Sequence, residues 1–290
     1  MTIVRVVVFN LKNGGWNEQT RFHDLDKLIN TVAQVEAPHL LFLPECTNYH
    51  WFRNGPKWEA TNRLSELLPG KDVYRPFLST GTGHRNHAGL FVSADMVKPI
   101  DEYRPDDDTR YVMENVLHCR VADEEAWLHA VHWDGSGGPD WFDIQSARHG
   151  NLGAKPTLLG GDFNCASHAE KIETAFQWAK RNKRTPWKLR QKARRKNGAW
   201  TPQTEPYDDL LDNGFWDAAQ IAKNDTPTVN GGSEQVIDRL AVSHQFPGRL
   251  VEGSYRVLVP EKGKVYSDHR LVYLELEVAA EHRGCYDLAA

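Results

Sequence analysis

Thr157-Leu158-Leu159-Gly160-Gly161-Asp162-Phe163-Asn164 is the stretch on which the reading of this sequence turns. A short apolar run suited to a buried strand enters a glycine pair, which allows backbone conformations closed to other residues, and then presents a carboxylate and an amide. Polar groups delivered by the end of an apolar strand are where α/β folds expose side chains to a shared cleft. The same punctuation recurs outward along the chain. Phe9-Asn10 closes the run from Ile3, Pro44-Glu45 follows Leu40 to Leu43, and Val131-His132 closes the run from Trp127. Ile237-Asp238 lies within Val236 to Val242, and Ser267-Asp268-His269 immediately precedes Leu271 to Val278.

With Gly89 to Ser93 and Val112 to Arg120, these runs predict a many-stranded α/β or α+β body, several strands alternating with period two. The clearest helix is Asp24 to Glu36, where Leu25, Leu28, Ile29, Val32 and Val35 share a face before Pro38. A second is expected from Ser167, whose spacing to Glu170 makes a capping box, into the basic residues beyond Ala179; Thr185-Pro186 reads as a restart. At 290 residues, with 40% hydrophobic and 26% charged residues, the chain can bury a large core. No internal repeat or linker interrupts it, so one domain over 1–290 is expected, with a core of about 3–278 and a short C-terminal tail. No run approaches the ~18 apolar residues of a membrane span, and no basic leader precedes the first strand, so a soluble, cytoplasmic protein without a membrane partner is expected. Cys46, Cys119, Cys165 and Cys285 form no Cys-x-x-Cys pair, and reduced thiols are expected.

Each polar residue alone has a plain explanation: Asn10 as a turn residue, Glu45 as a solvated acid, His132 as a satisfied core histidine, Asp238 as a structural partner near Arg239. Together they hold what phosphoester hydrolysis needs, a way to neutralise phosphate charge and a way to deprotonate water. Glu45 and Asp268 are hard oxygen ligands suited to Mg²⁺, with Mn²⁺ as the alternative, and Asn10 adds a neutral oxygen. Asp162 can orient and deprotonate water, and two histidines can donate to phosphate oxygens if a carboxylate such as Asp238 holds one imidazole charged.

In their order, Phe9-Asn10, Leu43-Pro44-Glu45, His132, Gly161-Asp162-Phe163-Asn164, Ile237-Asp238-Arg239 and Ser267-Asp268-His269 resemble the endonuclease/exonuclease/phosphatase superfamily across nearly the whole chain. Gly-Asp-Phe-Asn and Ser-Asp-His are the specific parts. The resemblance implies a DNase I-like four-layer α/β sandwich, two mixed sheets face to face with helices outside, and a metal site at one end. It implies metal-site roles for Asn10, Glu45 and Asp268, and water-orienting and phosphate-contacting roles for Asp162 and Asn164. It implies that His269, paired with Asp238, sits at the scissile phosphate, with His132 as the second histidine. Departures limit the substrate: Lys12 stands where abasic-site endonucleases usually show an acid, and Phe163, Cys165, Ala166 and Val236 depart from the inositol 5-phosphatase pattern.

The formal charge of −4 hides an asymmetry, because Lys180 to Lys196 carries ten Lys or Arg and no acid. Trp187, Lys188, Arg190 and Arg194 in this stretch, and Arg85 before the Gly89 strand, are the candidate substrate contacts, with Trp187 available to stack on an unpaired base. Three functions follow: a metal-dependent nuclease acting on DNA or RNA, a phosphoesterase acting on a small phosphorylated metabolite or lipid headgroup, or a non-catalytic binding scaffold. The full chemical set disfavours the last.

Overall fold

The computed structural model describes residues 1–79, 87–103, 113–133, 139–165, 167, 193–196, 199–202, 204–230, 235–260 and 266–283. Two mixed sheets dominate it. The first runs β15 (Gly248–Leu250), β17 (Leu271–Val278), β1 (Thr2–Val8), β4 (Leu40–Leu43), β6 (Gly89–Ser93) and β5 (Tyr74–Leu78), with β16 (Arg256–Leu258) also on β17. The second runs β13 (Phe215–Asp217), β14 (Asp238–Ser243), β10 (Thr157–Asp162), β9 (Glu124–His132), β8 (Met113–Val121) and β7 (Val97–Tyr103). The pairs β1–β4 and β9–β10 are parallel. Two short hairpins, β2–β3 (Trp16–Asn17 and Phe22–His23) and β11–β12 (Ala193–Lys196 and Ala199–Pro202), stand apart.

Strand alternation builds the layers. Val4, Val6 and Val8 of β1, Leu40 and Phe42 of β4, Leu128 and Ala130 of β9, Leu158 of β10 and Leu240 of β14 belong to one buried cluster between the sheets. The opposite face of the first sheet, with Val7, Leu41, Leu43 and Phe91, packs on α1 (Leu25–Val32) and α2 (Trp51–Ser65) through Leu28, Val32, Ala60 and Leu64. The outer face of the second, with Val131, Leu159 and Ala241, packs on α3 (Pro139–Gly150) and the helix Glu205–Asp212 through Phe142, Tyr207 and Leu210. The result is the DNase I-like four-layer α/β sandwich. Leu40 to Leu43, covered on both faces, reads as an unbroken apolar run for that reason.

The glycine pair has a steric cause. A Cβ on Gly161 would lie 1.8 Å from the Val131 carbonyl oxygen on β9, and one on Gly160 would lie 2.7 Å from the Phe42 ring across the sandwich. Only bare backbone passes there.

Some expectations need correction. The first helix ends at Val32 rather than Glu36, its last residues being turn. Asp238 opens β14 rather than lying inside a strand that begins at Val236. Ala193–Lys196, expected to continue a basic helix, is a strand paired with Ala199–Pro202; the rest of the basic stretch lies outside the described residues. The helices α2 and α3 had no clear signal in the sequence, since Gly55-Pro56 inside α2 reads as a break. No helix among the described residues is long and apolar enough to cross a membrane. Cys46, Cys119 and Cys165 are buried, burial pushing the Cys119 thiol up to about 12; Cys285 lies outside the described residues.

Candidate active site

Three strand ends of the second sheet set the centre. Asp162 closes β10, and the register places it opposite His132, the last residue of β9, on one side and Asp238, the first residue of β14, on the other. The first sheet supplies Asn10 just past β1 and Glu45 just past β4, also a parallel pair. The segment before β17 supplies Ser267, Asp268 and His269.

Asp162 is the hub. Its side chain is 1% exposed. Its Oδ1 accepts the Asn164 backbone N–H at 2.9 Å, and its Oδ2 accepts from Asn10 Nδ2 at 3.0 Å. The same Oδ2 lies 3.7 Å from His132 Nε2 and 3.9 Å from His269 Nε2. Asn164 adopts the left-handed conformation, φ 50°, which asparagine tolerates better than most residues. Its Nδ2 reaches the Trp133 carbonyl at 3.0 Å and His132 Nε2 at 3.2 Å.

His269 Nδ1 lies 2.8 Å from Asp238 Oδ2, and Asp238 is completely buried. Burial pushes the Asp238 carboxyl up to about 6, against the pull of His269. Burial also pushes His269 down, but contact with Asp238 and the nearby charges of Asp162 and Asp268 raise it to about 10. The proton of the pair therefore rests on the imidazole. Arg239, its neighbour in the chain, pairs with Asp217 and lies 4.5 Å over the Tyr207 ring.

Glu45 is held by the Asn13 backbone N–H, 2.7 Å from Oε2, and by Asn10 Nδ2, 3.2 Å from Oε1. His132 Nε2 is 3.5 Å from the same Oε1. Asp268 stands apart from the Asp162 hub: its side chain is 49% exposed, and its Oδ2 lies 3.1 Å from Lys12 Nζ. The donors at this edge of the cleft are of the kind a divalent cation takes: among the described residues the Asn10 side-chain oxygen Oδ1 is buried with no hydrogen-bond partner, and Glu45 and Asp268 offer hard oxygens suited to Mg²⁺ or Mn²⁺.

A cavity of about 590 Å³ adjoins Asp268, lined by Lys12, Trp16, Asn17, Lys27 and Tyr266 among others. None of these except Lys12 stands out in the sequence. The positioning groups are equally silent there. Thr228 Oγ1 accepts the backbone N–H groups of Ile237 and Asp238, both at 3.0 Å. Ser267 Oγ donates to the Asn10 carbonyl at 2.7 Å and accepts the N–H groups of Lys12 and His269, both at 3.2 Å. These roles depend on chain crossings that no local pattern encodes. Of the candidate substrate contacts, Arg85, Trp187, Lys188 and Arg190 lie outside the described residues, and Arg194 is placed only as a backbone position in β11.

The sequence matches no known family model and no curated protein. The fold does match solved structures. An endonuclease/exonuclease/phosphatase from Bacteroides vulgatus is similar with a TM-score of 0.64 at 15% identity, over 96% of this chain and 100% of that one. Truncated TDP2 of Caenorhabditis elegans is similar with a TM-score of 0.56 at 16% identity, over 96% and 98% of the two chains. The endonuclease domain of TRAS1, a telomere-specific non-LTR retrotransposon, gives 0.56 at 16%, over 96% and 99%. Two face-to-face mixed sheets between helical layers, matched over nearly their full length by these structures, give this chain the fold of the endonuclease/exonuclease/phosphatase superfamily.

Proposed function

We propose that this protein is a divalent-metal-dependent phosphoesterase, a phosphodiesterase cutting DNA or RNA with water. One observation carries the reading: a buried carboxylate, Asp162, within 4 Å of two histidines and an asparagine drawn from both sheets, with a charged His269–Asp238 pair on one side. Both sheets building one cleft also supports reading 1–290 as a single catalytic domain. The nuclease assignment draws further support from the TRAS1 endonuclease fold match and from the cationic Lys180 to Lys196 stretch.

In this mechanism Glu45, Asp268 and Asn10 hold the cation, which neutralises phosphate charge when bound. Asp162, its two oxygens oriented by Asn164 and Asn10, takes a proton from the attacking water. His269, kept as imidazolium by Asp238, donates from Nε2 to a phosphate oxygen as charge develops, and Asn164, through Nδ2, positions the ring of His132, the second histidine of the cleft. The attack is in line with the leaving oxygen.

A second reading keeps the chemistry and changes the substrate to a small phosphorylated metabolite or lipid headgroup. The cavity beside Asp268 favours it, because about 590 Å³ edged by Lys12, Lys27, Trp16 and Tyr266 suits a compact anionic group. The deciding experiment measures hydrolysis of single- and double-stranded DNA, RNA, and chromogenic phosphate mono- and diesters, each with Mg²⁺, Mn²⁺ or EDTA, beside Asp162→Asn. Polynucleotide cutting that needs both metal and Asp162 supports the nuclease. Turnover of small esters alone moves the assignment to the second reading, and activity indifferent to Asp162 sinks the mechanism.

A further inference from the structure

Away from the cleft, the layer between the second sheet and α3 encloses a second cluster of ligating side chains: Glu114 of β8, His129 of β9 and His149 at the end of α3. The register brings Val116 opposite His129 and Glu114 opposite Val131. Glu114 and His129 therefore share the face that carries Val131 into the helix-facing core. All three are buried, at 3%, 3% and 0% exposure, and one ligand atom from each lies within 4.8 Å of the others.

We propose that Glu114, His129 and His149 form a structural metal site that takes Zn²⁺. One feature of the cluster lacks an explanation without a cation: both ring nitrogens of His129 are buried with no hydrogen-bond partner among the described residues, a loss that costs about 1–3 kcal/mol if nothing offsets it. Beside it, His149 Nδ1 lies 2.8 Å from the Gln145 carbonyl, so its hydrogen is fixed there, and Nε2 faces Glu114 Oε2, also at 2.8 Å, a contact that a proton holds in the metal-free protein and that opens to take a cation when one binds.

The surroundings are those of a metal centre. A ligating histidine commonly donates its other ring N–H to a backbone carbonyl, as His149 does to Gln145. Arg148 grips the remaining oxygen of Glu114, and the Trp133 ring stacks on His149 at 5.7 Å with planes 16° apart, fixing the imidazole. Burial pushes His129 down to about 3, so its lone pair is open to a metal at neutral pH. Two imidazoles and one carboxylate select Zn²⁺ over Mg²⁺, which asks for oxygen throughout, and water completes a tetrahedron. Tetrahedral ligation at Zn–N of about 2.0–2.1 Å sets neighbouring ligands about 3.3 Å apart. The 2.8 Å His149–Glu114 contact is shorter than that, so the two side chains part by about half an ångström when the ion enters.

Metal alone is the probe. Untagged full-length protein, stripped with chelator, is loaded with Zn²⁺ or with Co²⁺ and dialysed, followed by metal analysis and visible spectroscopy. We expect one retained ion per chain, with the intense Co²⁺ absorption of tetrahedral nitrogen ligation. It should persist in Glu45→Gln, which weakens the cleft's own cation ligands, and disappear in His129→Leu. No retained ion in the wild type overturns the proposal, as does an ion that His129→Leu keeps. If His129→Leu does not fold, anomalous diffraction at the zinc edge from wild-type crystals decides. A peak between Glu114, His129 and His149 supports the site, and zinc found only in the cleft, or nowhere, overturns it.

Discussion

His269 Nδ1 stands 2.8 Å from Asp238 Oδ2, two side chains 31 positions apart that the sandwich brings together as one ion pair. Asp238 lines up with Asp162 through the β10–β14 register, so the pair sits beside the candidate base by construction.

Breaking that pair should change pH behaviour as well as rate. His269 is raised to about 10 although burial alone would lower it, and Asp238 is the foremost cause of the rise. In the wild type the alkaline limb of kcat/KM should therefore lie well above the ordinary histidine range. Asp238→Asn should bring it down toward ~6.5 or lower and cut kcat by about 10²–10³-fold, the usual cost of losing one donor to developing charge. A profile of kcat/KM against pH for both proteins checks this, and an unmoved alkaline limb would contradict it.

Lys12 Nζ lies 3.1 Å from Asp268 Oδ2, so under the proposed mechanism it competes with the cation for that carboxylate. Removing the charge with Lys12→Met should tighten metal binding, seen as a lower half-saturating Mg²⁺ in the activity assay. A higher KM with unchanged metal dependence would instead make Lys12 a substrate contact.

Thr228→Val should destabilise the fold. The substitution keeps the shape but removes the acceptor for the N–H groups of Ile237 and Asp238, both buried at the start of β14. The expected loss is about 1–3 kcal/mol in urea unfolding, with kcat also reduced because Asp238 loses a positioning contact. Thr228→Ser should restore most of both.

Acid should unfold the protein early. His39 is lowered to about 4, by burial first and then by the charge of Arg5, and His129 is lowered to about 3, by burial first. Both folded values lie below the unfolded value of about 6.5, so the unfolded chain takes up protons first as pH falls. Their stabilising contribution is complete above ~6.5 and is lost progressively as pH drops through 4 and toward 3. Urea midpoints in EDTA between pH 7 and 4.5 should fall steadily, and His39→Gln should flatten the slope.

The sequence by itself determined the strands that carry the site and the groups at their ends. Leu40 to Leu43 and Thr157 to Leu159 are legible because strands covered on both faces need continuous apolar runs, and the polar residue after each marks where the cover stops. Gly160-Gly161 is legible because backbone crowding leaves no room for a side chain. The tertiary structure alone decided which of those ends meet. That Asp162 touches Asn10 across 152 positions, that Ser267 latches Asn10 across 257, and that Thr228 supports Asp238 follow from sheet order and register. The helix α2 escaped notice because its burial depends on the sheet it covers, while Gly55-Pro56 argues locally against a helix. The Glu114–His129–His149 cluster escaped notice for a related reason. His129 alternates with inward-facing Leu128 and Ala130, and only the packing of α3 on the second sheet turns a strand histidine and a helix histidine toward one buried carboxylate.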